Sequence, residues 1–211
     1  MQVTARSVTS VARRTQIVRA AIETLAEVGF DRASFAEITR RAGLSSQRLI
    51  SYHFEDKDDL LWQIVEDVYR DAAQFVGERM QGAGTATERL QAYVEANLEF
   101  LRDHPQEVAA LTEAGPHLST GSGQSATSLR EQQPVLEGLT PILRDGQEAG
   151  EFRMFDVQSV AVMIRASIER AAQWLHADPP LDFESYRREL VHTFLLTTTR
   201  PESAGTPGRG S

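Results

Sequence analysis

Cysteine is absent from the 211 residues, which excludes disulfides, thiolate zinc sites and redox roles for a thiol. No apolar run approaches the ~20 residues needed to cross a bilayer, and the opening MQVTARSVTS has no apolar segment of signal-peptide length. A cytoplasmic protein is the expectation. Lysine is almost missing as well: Lys57 stands alone beside 21 arginines, a bias that fits GC-rich coding DNA. No stretch alternates apolar and polar residues as a half-buried strand would, and no internal repeat is evident. Helices are what remains.

With 41 % apolar and 25 % charged residues, the composition is that of a globular protein with one or two domains. The formal charge of −8 is unevenly placed. Residues 1–57 hold nine Arg/Lys against six Asp/Glu, and residues 58–211 hold thirteen against twenty-four, so the two parts carry +3 and −11. A positive module on an acidic remainder is what local binding to a nucleic-acid backbone requires, while the acidic part discourages non-specific wrapping.

The positive part ends in the most informative stretch of the chain. Ser34-Phe35-Ala36-Glu37 is a capping box, which starts a short helix near Phe35. Phe35, Ile38 and Ala42 form one apolar stripe, and Gly43 offers the left-handed conformation that ends a helix. Ser45 is then a good N-cap for a second helix, with Leu49 and Phe54 inward and Ser46, Gln47, Arg48 and Ser51 outward. Two short helices joined at a Gly turn, with a third following at once, outline a helix-turn-helix. Its outward face could read base edges.

The remaining pattern predicts an all-α protein of about nine helices. Residues 1–12 read as a flexible arm, and the first helix as Arg13 to Val28. The fourth runs from about Lys57 to Met80, the fifth from about Thr87 to His104, and Pro105 opens a short sixth to about Ala114. Residues 115–128, rich in Gly and Ser, read as a mobile loop or gate. The seventh helix, about Leu129 to Ala149, should break or kink at Pro134 and Pro141. The eighth spans Asp156 to His176 and the ninth about Asp182 to Thr198, and both have more apolar surface than one protomer needs. Residues 200–211 read as a disordered tail. The domain division expected is 13–57 and 58–199.

IVRAAIETLAEVGFDRAS followed by FAEITRRAGLSSQRLISYHFEDKDDLL resembles the DNA-binding domain of the tetracycline-repressor (TetR) family of bacterial transcription regulators, over about Arg13 to Val68. DGQEAGEFRMFDVQSVA, from Asp145 to Ala161, is similar to that family's junction before its last two helices. The resemblance implies a homodimer joined through those helices as a four-helix bundle, with small residues such as Ala161 and Ala172 allowing close approach. It also implies a ligand-responsive regulator, a repressor released from a pseudo-palindromic operator by a small molecule. Ser45 and Ser46 could meet phosphate, and Gln47 and Arg48 the edges of adenine or guanine. Ser51 lies on the same face, and Tyr52, His53 and Lys57 resemble the family's backbone-anchoring set. The stretch from Gly43 to Lys57 is one residue longer than the commonest family spacing, so the assignment of Gln47, Arg48 and Leu49 to base-reading positions stays open.

For the effector, Tyr93, Asn97 and Phe100 lie within about two turns of one helix and could line a wall that Met163 and Trp174 close, with His117 near the Gly/Ser-rich loop. That set suits a mostly apolar small molecule with a hydrogen-bonding group; no cofactor and no metal is expected. Two rivals are weaker. Glu189-Leu190-Val191-His192 is a Glu-x-x-His, but a di-iron carboxylate bundle needs a second one, and none of the other four histidines has Glu three residues before it. A helical adaptor without DNA contact would lack salt-sensitive duplex binding.

Overall fold

Several helices begin where a side-chain oxygen precedes an apolar stripe. The computed structural model describes residues 2–118, 132–175 and 177–200. Their regular structure is helical: α1 (Gln2–Val28), α2 (Phe35–Arg41), α3 (Arg48–His53), α4 (Lys57–Arg79), α5 (Ala86–Asp103), α6 (Pro105–Ala114), α7 (Gln132–Glu148), α8 (Val157–Trp174) and α9 (Phe183–Thr198), with a 3-10 turn at Gly115–His117. The chain is all-α. An isolated backbone bridge between Phe152 and Thr199 is the sole extended pairing among the described residues.

The caps explain the starts. Ser34 Oγ accepts the Glu37 N–H at 3.2 Å ahead of α2, Asp156 the Ser159 N–H at 2.8 Å ahead of α8, and Asp182 the Ser185 N–H at 3.1 Å ahead of α9. Thr85 and Glu88 form a complete capping box: Glu88 N–H donates to Thr85 Oγ1, and the Glu88 carboxylate accepts the N–H groups of Gly84 and Thr85. These backbone bonds hold the Glu88 carboxyl below its ordinary range. Asp56 and Asp59 do the same for α4, Asp56 accepting from Asp59 N and Asp59 from Glu55 N. The acidic residues around Lys57 are thus a helix start.

Four expectations change. Residues 2–12 continue α1 instead of forming an arm. The box at Ser34 is half made, because the Glu37 carboxylate turns to Arg40. Ser45 does not cap α3, which begins after Gln47. Finally, α7 runs uninterrupted through Pro141; the proline sits on the exposed face, where the carbonyl it leaves unpaired can meet water. The expected tail after Arg200 and most of the Gly/Ser-rich loop lie outside the described residues, while Arg200 itself donates its N–H to the Glu151 carbonyl.

The chain divides into two compact units, Met1–Gly77 with Glu99–Val135 and Glu78–Leu98 with Leu136–Ser211. The first therefore reaches beyond residue 57, taking in most of α4 together with α6. Its core joins Ile17, Ala21 and Leu25 of α1 to Ile38, Ile50, Phe54, Leu60, Leu61 and Ile64, with Ala110 and Ala114 of α6 against them. The second buries Leu90 and Val94 of α5, Leu139 and Leu143 of α7, Ile164 and Ile168 of α8 and Phe194 of α9. Phe152 lies there with its ring where any side chain at Gly146 would have to go: a Cβ on Gly146 would run into the Phe152 ring.

Candidate nucleic-acid interface

Ala42 closes α2 and Gly43 follows with φ +63°, the left-handed conformation that reverses the chain toward α3. α3 then buries one turn-facing residue completely, Ile50, while Leu49 stays half-buried and Phe54 closes the helix inside the core. The inward residue of α3 is thus Ile50, one position beyond the Leu49 that the apolar pattern suggested. Ser45, Ser46, Gln47, Arg48, Ser51 and Tyr52 are all exposed, Tyr52 by 80 %. Six of the eight residues read as DNA contacts hence share an open surface.

The other two are half-buried and have internal partners. His53 lies edge-on to Tyr52, with ring centroids 5.1 Å apart. Burial lowers its pKa first, and the Arg14 and Arg13 charges lower it further. Lys57 donates through Nζ to the Phe30 carbonyl at 3.0 Å and stands 3.6 Å from the centroid of the Phe30 ring. Burial pulls the ammonium below its usual pKa, while Asp31 and Asp58 push it back. Phe30 is held on further sides: its N–H donates to Glu113 at 2.8 Å and its ring stacks on His117 at 3.5 Å.

α1 supports the whole motif from beneath, by donors aimed at the carbonyl ends of both short helices. Gln16 Nε2 donates to Ala42 O at 2.6 Å, at the end of α2. Arg14 Nη1 donates to His53 O at 2.8 Å, at the end of α3, and its guanidinium lies over the Phe54 ring. Helix C-termini leave carbonyls unpaired and carry partial negative charge, so an amide and a cation there satisfy both needs. Arg14 is a brace. Arg13 pairs with Gln16.

The six residues proposed for an effector are divided between the units, Phe100 and His117 in the first and Tyr93, Asn97, Met163 and Trp174 in the second. Met163 and Trp174 are 59 % and 53 % exposed. His117 stacks on Phe30, and Phe100 packs against His104 and Phe75 within the first unit. Tyr93 and Asn97 do belong together, with a residue the periodicity hid: Arg165 on α8, whose Nη1 donates to Asn97 Oδ1 at 3.0 Å. Its signal was present in the sequence as a charge inside the stripe Ala161, Ile164, Ile168. Among the described residues no three metal-binding side chains come together, and no helix is long and apolar enough to cross a membrane.

Comparison with known proteins sets this geometry in context. The family description "Bacterial regulatory proteins, tetR family" matches residues 17–64, and "Tetracyclin repressor-like, C-terminal domain" matches residues 83–197. HTH-type transcriptional regulator BetI of Escherichia coli O17:K52:H18 is 38 % identical over 89 residues, which cover 41 % of this chain and 45 % of that protein. The chain spans about half the length of the curated relatives it matches. A bacterial regulatory protein in the tetR family from Rhodococcus RHA1 superposes with a TM-score of 0.74 at 20 % identity, covering 90 % of this chain and 98 % of the other. AibR, in complex with isovaleryl coenzyme A and operator DNA, superposes with a TM-score of 0.70 at 19 % identity, covering 86 % and 97 %.

Proposed function

The chain belongs to the tetR family of bacterial regulatory proteins, and from that premise we propose that it is a cytoplasmic, ligand-responsive transcription regulator, a repressor rather than an enzyme, which binds a pseudo-palindromic operator as a homodimer. The observation that carries the reading is the exposed surface of Ser45 to Arg48, Ser51 and Tyr52, presented by a helix whose opposite side is locked by Ile50, Phe54 and Arg14. Gln47 and Arg48 suit bidentate contacts with adenine or guanine in the major groove, and Ser45, Ser46, Tyr52, His53 and Lys57 suit the flanking backbone.

The partner copy is suggested by apolar side chains left in solvent at the end of the chain: Val162, Met163 and Trp174 on α8 and Leu196 on α9. A twofold pair would place two α3 helices roughly one helical turn of DNA apart, or slightly more. An effector bound in the second unit would oppose DNA through a coupling free energy. The AibR complex, with isovaleryl coenzyme A and operator DNA together, supports that pairing of ligands on this fold.

Selecting bound duplexes from random DNA with the purified protein tests the reading. Enrichment of an inverted repeat is the expected result. Absence of salt-sensitive duplex binding would favour the adaptor.

A further inference from the structure

A guanidinium withdrawn from water needs acceptors for its N–H groups and charge to balance it. Arg165 has too little of either. Its side chain is 12 % exposed, and its ion partner, Glu169, lies one turn along the same helix and is itself 62 % exposed. Nη1 is taken by Asn97 Oδ1 at 3.0 Å, and Nη2 reaches Glu169 Oε1 at 3.2 Å. Nε is closed off from solvent and has no acceptor among the described residues. Asn97 cannot turn its amide to serve otherwise, because Nδ2 donates to the Tyr93 carbonyl at 2.7 Å.

Other arginines make the contrast plain. Arg41 and Arg89 also leave Nε unpaired, but both are more exposed and each faces carboxylates from a different helix, Glu23 and Glu27 or Asp145. Arg187, in the surface cleft between α5 and α9, is matched by Glu95 and Glu184. Arg165 alone among these holds its charge in the interior against neutral partners, the Asn97 amide and the Tyr93 phenol, and a surface carboxylate of its own helix. The Tyr93 phenol stands beside it: burial pushes the hydroxyl's pKa up, while the Arg165 charge and a hydrogen bond with the Arg165 side chain draw it back.

We propose that Arg165, flanked by Asn97 and Tyr93, is the recognition point for a carboxylate on the effector. The Nε and Nη2 edge of a guanidinium is the fork that matches two carboxylate oxygens, and on Arg165 that edge has one N–H empty and the other lent to an exposed side chain. An incoming carboxylate takes Nε, displaces Glu169 from Nη2, and leaves the Asn97 bond in place. The neighbouring inward residues of α5 and α8, Val94, Ala161, Ile164 and Ile168, are buried hydrophobics, so the rest of the ligand is apolar. The class is a monocarboxylate on a hydrocarbon or aromatic body, which makes the hydrogen-bonding group of the mostly apolar ligand suggested by sequence a carboxylate. This rests on the ligand-responsive reading above.

The test uses the full chain without DNA, so that failure of operator binding and failure of this site are read separately. Short- and medium-chain alkanoates, benzoate and phenylacetate, each beside its methyl ester, and inorganic phosphate are titrated against wild type, Arg165→Met and Glu169→Gln, by melting temperature and calorimetry. At least one carboxylate should stabilise the wild type while its ester does not. Arg165→Met should weaken that carboxylate by at least about tenfold, and Glu169→Gln, which removes the competitor, should tighten it several-fold. The proposal is overturned if no carboxylate binds, if ester or phosphate does as well, or if Arg165→Met binds normally. Should Arg165→Met not fold, the Glu169→Gln arm decides: unchanged or weaker carboxylate binding overturns the proposal.

Discussion

Lys57 has three N–H groups and gives one of them to the Phe30 carbonyl. Two remain for the DNA phosphate contact proposed above, so one side chain would tie down the loop after α1 and also meet the backbone. Lys57→Met should then do two separable things. Stability should fall by about 1 kcal/mol, seen as a lower urea midpoint at constant slope, since a partly exposed charge-assisted bond and a cation–π contact are lost. Operator and non-specific affinity should fall by similar factors, with the salt slope reduced by about one unit per protomer. Arg48→Ala should instead relax preference at one base pair per half-site by about 1–3 kcal/mol; a uniform loss across sequences would make it a backbone contact. His53 adds a pH signature. Its folded pKa lies below the usual 6.5, so the unfolded chain binds the proton more readily. Stability is full above pH 6.5 and declines as pH falls through 6.5 toward the folded value. In His53→Gln, thermal melts at descending pH should lose that part of the slope. The exposure of Ser45 to Arg48, Ser51 and Tyr52 was legible from sequence because polar residues between apolar ones announce it. The stack of Phe30 on His117 was not, because nothing local links residues so far apart in the chain.

At the level of elements, boundaries were legible where a cap was made and missed where a competing bond won. Asp156 and Asp182 start α8 and α9 as a cap should, whereas Ser45 precedes an extended turn and α3 waits until Arg48. Pro141 was read as a breaker, but α7 exposes that side and keeps Leu139, Ile142 and Leu143 inward. The inward face outweighs one missing bond. Gly146 on the same helix is a stricter position, since a methyl group there meets the fully buried Phe152 ring. Gly146→Ala should therefore destabilise by about 1–3 kcal/mol, against the usual gain from replacing a helical glycine. Chemical denaturation reads the sign directly, and a more stable variant would show that the ring can move aside.

For the whole molecule, the sequence showed that the last two helices carry surplus apolar surface, and the structure shows which residues supply it. Ile164 and Phe194, strong members of the apolar pattern, are buried within the protomer, while Met163 and Leu196 point outward, Leu196 by 66 %. Periodicity ranks residues by hydrophobicity and cannot tell a protomer's core from a surface awaiting a partner. The distinction gives a sharp experiment. In a twofold interface each substitution occurs twice, so Leu196→Glu or Met163→Glu would put two carboxylates into the seam and shift the protein toward monomer. The helix content of each protomer should persist, because the altered side chain already faces water. Operator affinity should collapse with the dimer, since one half-site supplies only part of the contacts. Ile164→Glu should differ in kind by unfolding the second unit. Light scattering at micromolar concentration, with circular dichroism on the same samples, separates the outcomes. A wild type that is monomeric, or a Leu196→Glu variant that stays dimeric together with Met163→Glu, would remove these two side chains from the interface and require the operator-spacing argument to be rebuilt on another surface.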